Sequence, residues 1–290
     1  QRHTCSNCSQ SIASDLSMAT VLVFDIETIP DVAGLRRLND YPDTLSDTEV
    51  AAKAMAERAE KTGSEFLPLY LQRICAISCV IRRTSKDGSP QIKVGTLGTA
   101  LDDEKVLIQT FFELVEKYTP QLVSWNGSGF DLPVLHYRAL ANLIQAPRYW
   151  EMGESQENDS REFKWNNYIS RYHMRHLDLM DLLAKFNGRA NAPLDALAKL
   201  CGFPGKMGMD GSQVWPAYQE GRIDEIRRYC ETDVVNTYLM YCRFQLMRGG
   251  FSLEEYKEEI AFVKAYLEKE SKEPHGEQWQ EYLLGFTSDA

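Results

Sequence analysis

The sequence predicts a single α/β domain built on a mixed sheet with helices on its faces. Three observations lead there. Residues 21–24 form a continuous β-branched and apolar run, the composition of a buried central strand. Two further strand patterns, 74–81 and 91–97, flank the turn-forming Lys86-Asp87-Gly88-Ser89-Pro90, so they should pair as an antiparallel hairpin. Beyond them the chain alternates helix, strand and helix, with no Pro/Ser/Gly-rich linker and no internal repeat.

Residues 31–66 are rich in Ala, Glu, Lys and Asp and read as a helical insertion, with 49–61 its helix. Residues 102–118 are amphipathic, and the helix is expected to bury Val106, Phe111, Leu114 and Val115. A short strand, 122–125, runs into Asn126-Gly127-Ser128-Gly129, and a helix follows over 132–143. Residues 150–172 are polar and irregular and read as a mobile loop. Apolar structure returns at 176–183, and 193–200 is a short helix beginning with a proline. Residues 202–211, containing Lys206, are loop; 223–247 is a long helix ended by Gly249-Gly250. The organisation expected is a polar tail over 1–17, with Met18 as the natural start, a main domain over 18–250, and a peripheral acidic helical extension over 251–290.

With 43% hydrophobic and 26% charged residues the composition is that of a soluble globular protein. No apolar run approaches the ~20 residues of a transmembrane helix, so no membrane association is expected. The net charge of −10 argues against a broad basic surface gripping nucleic acid. The acid is uneven: from Ser252 onward ten acidic residues face four basic ones. Cys75, Cys79, Cys201, Cys230 and Cys242 lie in apolar segments and read as reduced thiols, which points to the cytoplasm. Cys5 and Cys8, with His3 nearby, lack the second half of a zinc site.

Four carboxylates carry the chemistry. Asp25 and Glu27 are two apart on a strand, so both leave the same face and repel each other unless a cation lies between them; a solvated strand end is the alternative. Asp131 opens a helix after the Gly-rich turn, where an N-cap would also place it. Asp233 lies between apolar neighbours in the last helix, with Tyr229 on the same face four residues earlier, a pairing that plain packing would also produce.

Together, Phe24-Asp25-Ile26-Glu27-Thr28, Asn126-Gly127-Ser128-Gly129-Phe130-Asp131 and Tyr229-Cys230-Glu231-Thr232-Asp233 resemble the three motifs of the DEDD superfamily of 3′–5′ exonucleases, on an RNase H-like fold. A tyrosine four before the last aspartate resembles the tyrosine (DEDDy) branch; the histidine branch places its His five before, where this chain has Arg228. The form of the second motif is similar to the proofreading domain of family B DNA polymerases. The chain has no room for palm and thumb domains, so it looks like a stand-alone member. The resemblance spans 21–247 and leaves the 31–66 insertion and the acidic tail unmapped.

The resemblance implies two divalent cations, Mg²⁺ or Mn²⁺, held about 3.5–4 Å apart by Asp25, Glu27, Asp131 and Asp233. Oxygen-only ligands suit such hard cations. It implies a water positioned by Tyr229, whose ordinary pKa of about 10 suits orientation better than outright base catalysis, and nucleoside 5′-monophosphates as products. Asn126, Phe130, Thr28 and Lys206 become candidate substrate contacts, Phe130 being equally suited to bracing the core. Lys206, Arg171 and Arg175 lie in loops and read as solvated surface or as phosphate contacts. Trp125, His173, His176 and Asp181 read as structural, and Asp178 as structural or supporting the site. The expected partner is a single-stranded 3′ end, DNA ahead of RNA, in a DNA repair setting. Nothing in the motifs reads a 2′-hydroxyl, so an exoribonuclease stays open, as does a non-catalytic nucleic-acid-binding module. A short stacking groove is compatible with the acidic charge. The C-terminal helix offers a surface for self-association. An arginine or lysine filling the pocket in place of cations would leave only an α/β shell.

Overall fold

The apolar run at residues 21–24 is the start of β1 (Val21–Pro30), which continues through the acidic positions because its backbone stays paired with β2 (Gln72–Thr84) along its whole length. This computed structural model describes residues 20–288, so the 1–17 tail, Met18 and the Cys5/Cys8 pair lie outside the described residues. β2 turns into β3 (Pro90–Thr96) as the expected hairpin. β4 (Gln121–Ser124) and β5 (His176–Asp178) add parallel neighbours on the other side, giving a five-stranded sheet in the order β3-β2-β1-β4-β5. The mixed α/β architecture read from the sequence is the one observed, and it is consistent with an RNase H-like fold. β1 is central, and all of its side chains are buried except Asp25 and Thr28, which are half-buried.

The insertion after β1 holds α1 (Val32–Leu38) and α2 (Asp47–Thr62), the latter opened by a Ser46/Glu49 capping box and packed with α1 over Val50, Ala51 and Ala54. α3 (Glu104–Tyr118) buries Leu107, Ile108, Phe111, Phe112 and Val115. Val106, expected on the buried face, is exposed, because the i, i+4, i+8 stripe starts one residue later. α4 (Asp131–Ala141) follows β4.

The stretch read as a mobile loop is pinned instead. It contains α5 (Ser160–Phe163), buries Phe163 and Tyr168, and stacks Tyr168 on Tyr149 with ring centroids 5.4 Å apart. The Tyr168 hydroxyl donates to the Pro120 carbonyl at 2.7 Å. Its polar composition concealed these few aromatic anchors. α6 (Leu179–Leu183), α7 (Leu194–Leu200) and α8 (Val214–Gln219) lead to α9 (Ile223–Met247), the helix that crosses the sheet over β1 and β2.

α10 (Leu253–Glu270) and α11 (Glu277–Leu284) correct a second expectation. They are not peripheral: Tyr256, Ile260, Val263, Leu267, Trp279 and Tyr282 are buried in one cluster with Tyr238 and Leu239 of α9. Glu259 takes hydrogen bonds from Arg82 Nε at 2.8 Å and Tyr238 OH at 2.6 Å, tying α10 to β2 and α9. Acidity of the outer face hid an apolar stripe at helical spacing.

A buried ionic knot joins the insertion to the sheet. Arg138 on α4 donates to Asp31 Oδ2 at 2.5 Å and to both Glu104 oxygens at 2.7 Å, and Glu104 also accepts the Ile74 N–H. Removing one partner strands buried charges, so Arg138→Met should lower unfolding free energy by about 3–5 kcal/mol, read from urea midpoints. A loss below ~1 kcal/mol would show that the knot contributes little.

Candidate active site

Alternation along β1 sends Asp25 and Glu27 to one face while Ile26 between them packs into the apolar cluster with Phe111 and Leu132. A register shift follows Glu27, between it and Thr28. The Ile26 N–H donates to Asp131 Oδ1 at 3.1 Å, which clamps the first residue of α4 against the strand. Asp131 is therefore not spent as a simple N-cap.

The turn that delivers Asp131 is built for close approach. A Cβ on Gly127 would collide with the Ser124 hydroxyl, and Asn126 adopts a left-handed φ of 67°. Asp178 holds this turn by accepting N–H bonds from Asn126 and Ser128, both 2.9 Å, while also capping α6. The sequence left its role open; here it organises the second motif.

α9 brings Tyr229, Cys230 and Asp233 onto the same centre. All four carboxylates are shifted upward, first by burial, and Asp25 and Glu27 also by the other carboxylates of the centre. Asp25 lies well above the usual range, raised by Asp131, Glu27 and Asp233, and Glu27 likewise by Asp233 and Asp131. Burial lifts Asp131 to about 7 and Asp233 to about 6, the latter restrained by Lys206. Asp233 Oδ1 is buried with no hydrogen-bond partner. Burying converging carboxylates in this way is costly in the absence of a cation.

The donor set fits a hard divalent ion. Ligand atoms of Asp25, Glu27 and Cys230 lie within 4.8 Å of one another. The Cys230 thiol is pushed up by burial and donates towards Asp25 Oδ2 at 3.6 Å, so it stays protonated and leaves the oxygens as ligands. Asp25, Glu27, Asp131 and Asp233 are the residues that could hold such ions.

Lys206 enters this centre rather than the surface. Its Nζ donates to Tyr229 OH at 2.7 Å and lies 3.7 Å from Asp233 Oδ2. One ammonium against four carboxylates leaves the pocket acidic, so it is not the neutralised shell that a filled pocket would be. Burial and the neighbouring carboxylates push the Tyr229 phenol far up, which keeps it a neutral donor.

The other candidates sort cleanly. Asn126 lines a cavity of about 480 Å³ with Ser128, Gly129 and Leu132. Phe130 is part-buried, and its ring meets Phe66 of the insertion at 5.9 Å; Phe66 is half-exposed and carries no local sequence signal. Thr28 donates its hydroxyl to Gln72 Oε1 at 3.0 Å. His176 pairs with Ser124 at 2.8 Å, His173 accepts the Asn167 N–H, and Trp125 donates to the Ala192 carbonyl. Arg171 forms an ion pair with Asp181, and Arg175 lies over the Phe163 ring at 3.9 Å.

The sheet order and an acidic centre on its middle strand define an RNase H-like α/β protein with a carboxylate pocket suited to divalent cations. The chain belongs to a family of predicted 3′–5′ exonucleases related to the exonuclease domain of PolB, whose model matches residues 64–284. That span contains Asp131, Tyr229, Asp233 and both C-terminal helices, and it starts beyond β1. Asp25 and Glu27 join the matched residues through the fold. A comparison with curated proteins finds no match.

Proposed function

We propose that the chain is a DEDDy-type 3′–5′ exonuclease that removes nucleoside 5′-monophosphates from single-stranded DNA ends. The observation that carries this reading is the convergence of four carboxylates from three distant stretches of chain, three of them buried and Asp25 half-buried, one with an orphaned oxygen. Asp25, Glu27, Asp131 and Asp233 would hold two divalent ions, Mg²⁺ or Mn²⁺. When bound, these supply Lewis-acid stabilisation of the attacking and leaving oxygens.

The side chains have separate tasks. Tyr229, held neutral, orients the attacking water through its hydroxyl while Lys206 fixes the phenol oxygen from the other side. Asn126, fixed by Asp178, hydrogen-bonds the terminal nucleotide, and Phe130 backed by Phe66 braces its base. Kinship to the PolB exonuclease domain favours DNA over RNA.

The test is a 5′-labelled single strand incubated with Mn²⁺. Stepwise shortening from the 3′ end, release of 5′-monophosphates and arrest by EDTA are expected, with a matched RNA trimmed more slowly. Intact strands with every divalent ion tried, or internal cuts, would defeat the reading.

A further inference from the structure

The chain's acidity is uneven, and one basic stretch borders the second motif. Residues 161–191 carry six Lys/Arg against three Asp/Glu in a protein of net charge −10. Two of the three acids, Asp178 and Asp181, are buried and already bonded, and Glu162 faces Arg175 at 3.6 Å. The outward face is therefore basic. Lys185 and Arg189 are exposed, and their side chains make no ion pair among the described residues.

Aromatic rings interleave with these cations. Tyr172 is 72% exposed and meets Phe186 edge-on at 5.0 Å, and the Arg171 guanidinium lies over Phe186 at 5.2 Å. Trp165 is 82% exposed. The adjoining residues bind its stretch to Tyr172's: Asn166 Oδ1 accepts the Met174 and Arg175 N–H groups, and the Asn167 N–H donates to His173. Lys185 and Phe186 both adopt left-handed φ, 55° and 59°, a conformation unfavourable for side chains of this size. The Phe186 N–H, donated to the Asp181 carbonyl at 2.8 Å, holds that turn in place.

This rim reaches the turn that delivers Asp131. Arg171, Gly188 and Asn191 line the cavity of about 480 Å³ together with Asn126, Ser128, Gly129 and Leu132, the residue after Asp131. Tyr172 and Phe186 share a smaller cleft with Ser128.

We propose that Trp165, Arg171, Tyr172, Lys185, Phe186 and Arg189 form the track that holds the single strand upstream of the bond to be cut. The proposal rests on the exonuclease reading of the acid centre and extends it to the strand behind the terminal nucleotide. Cations follow the phosphates, and exposed rings stack on bases without reading their sequence. The track explains how an acidic protein can hold a strand: its charge is segregated, and one short basic edge is enough.

The test measures binding of a fluorescent 15-nucleotide strand to the full chain in Ca²⁺, with DNA and RNA arms, across a salt series. Lys185→Gln with Arg189→Gln should weaken binding and make the log-affinity against log-salt slope shallower by about 1.4, the value for two lost phosphate contacts on a single strand. Trp165→Ala should cost about tenfold or more in affinity with the slope unchanged. The ratio of kcat/KM on the 15-mer to that on a dinucleotide should fall in both. Trimming by the wild type with unaltered slope, affinity and ratio in both variants would overturn the track and leave the exonuclease standing. Rim-dependent binding by a wild type that trims nothing would keep the track and remove the exonuclease.

Discussion

In Asp131→Asn, divalent-dependent trimming should fall by more than about 100-fold while the metal-free protein becomes more stable at neutral pH. The activity loss follows from removing a ligand oxygen, since even partners one shell out from a metal are worth 10–100-fold. The stability gain follows from linkage. Burial raises Asp131 from 3.8 to about 7, so between those values the folded state binds a proton that the unfolded chain has released. The stabilising effect of that proton is fully present below pH ~4 and is lost as pH rises through about 7. Above that, the ionised carboxylate costs the metal-free fold about 2–4 kcal/mol, a cost the neutral amide avoids. Asn keeps an oxygen that can accept the Ile26 N–H, so the clamp on β1 survives. The measurement is Tm in EDTA across pH 5–8 for both proteins. The wild type should fall towards neutrality more steeply than the variant, and Mn²⁺ should restore the wild type alone. Parallel curves, or a variant that trims normally, would remove Asp131 from the cation site.

Tyr229→Phe should lower kcat by about 10²-fold with little change in KM, because it deletes only an orienting hydroxyl. The fold should hold: the ring stays in its buried position, and the lost bond from Lys206 is to a part-exposed ammonium. Lys206→Met tests the same corner electrostatically. Lys206 is the main influence holding Asp233 down at about 6, so its loss should drive that carboxylate higher. The acid limb of the pH–kcat profile should then move to higher pH, a shift that simple loss of packing would not produce. An unmoved limb would show that Lys206 does not act through Asp233, and an undiminished rate in Tyr229→Phe would take the phenol out of the reaction.

Both experiments act on residues visible in the sequence, but the sequence located them unequally. Asp25, Glu27, Asp131, Tyr229 and Asp233 were legible because each lies in a short phrase whose spacing sets its face: two along a strand, four along a helix. Lys206 was legible only as a loop cation, since nothing local to residues 202–211 says that the loop folds over α9. Phe66 was not legible at all; it gains its partner, Phe130, across 64 positions of chain. Asp178 was legible as a residue near the site, but its task was not, because its three N–H partners come from two separate segments.

Among larger elements the division is similar. The hairpin, the amphipathic α3 and the 25-residue α9 were readable because turn residues and apolar periodicity are local properties. The pinned 150–172 stretch and the buried C-terminal helices were not, because polar composition dominates a linear reading while a few aromatic side chains decide packing. By itself the sequence determined the strand and helix periods, the acidic chemistry and its spacing within each motif. Only the tertiary structure decided that acidic residues of three motifs converge on one centre, that a lysine reaches it and that a basic edge borders the second motif. The physical reason is that a carboxylate's pKa, a cation's partner and a ring's exposure depend on what the fold brings within a few ångströms, not on what is next along the chain.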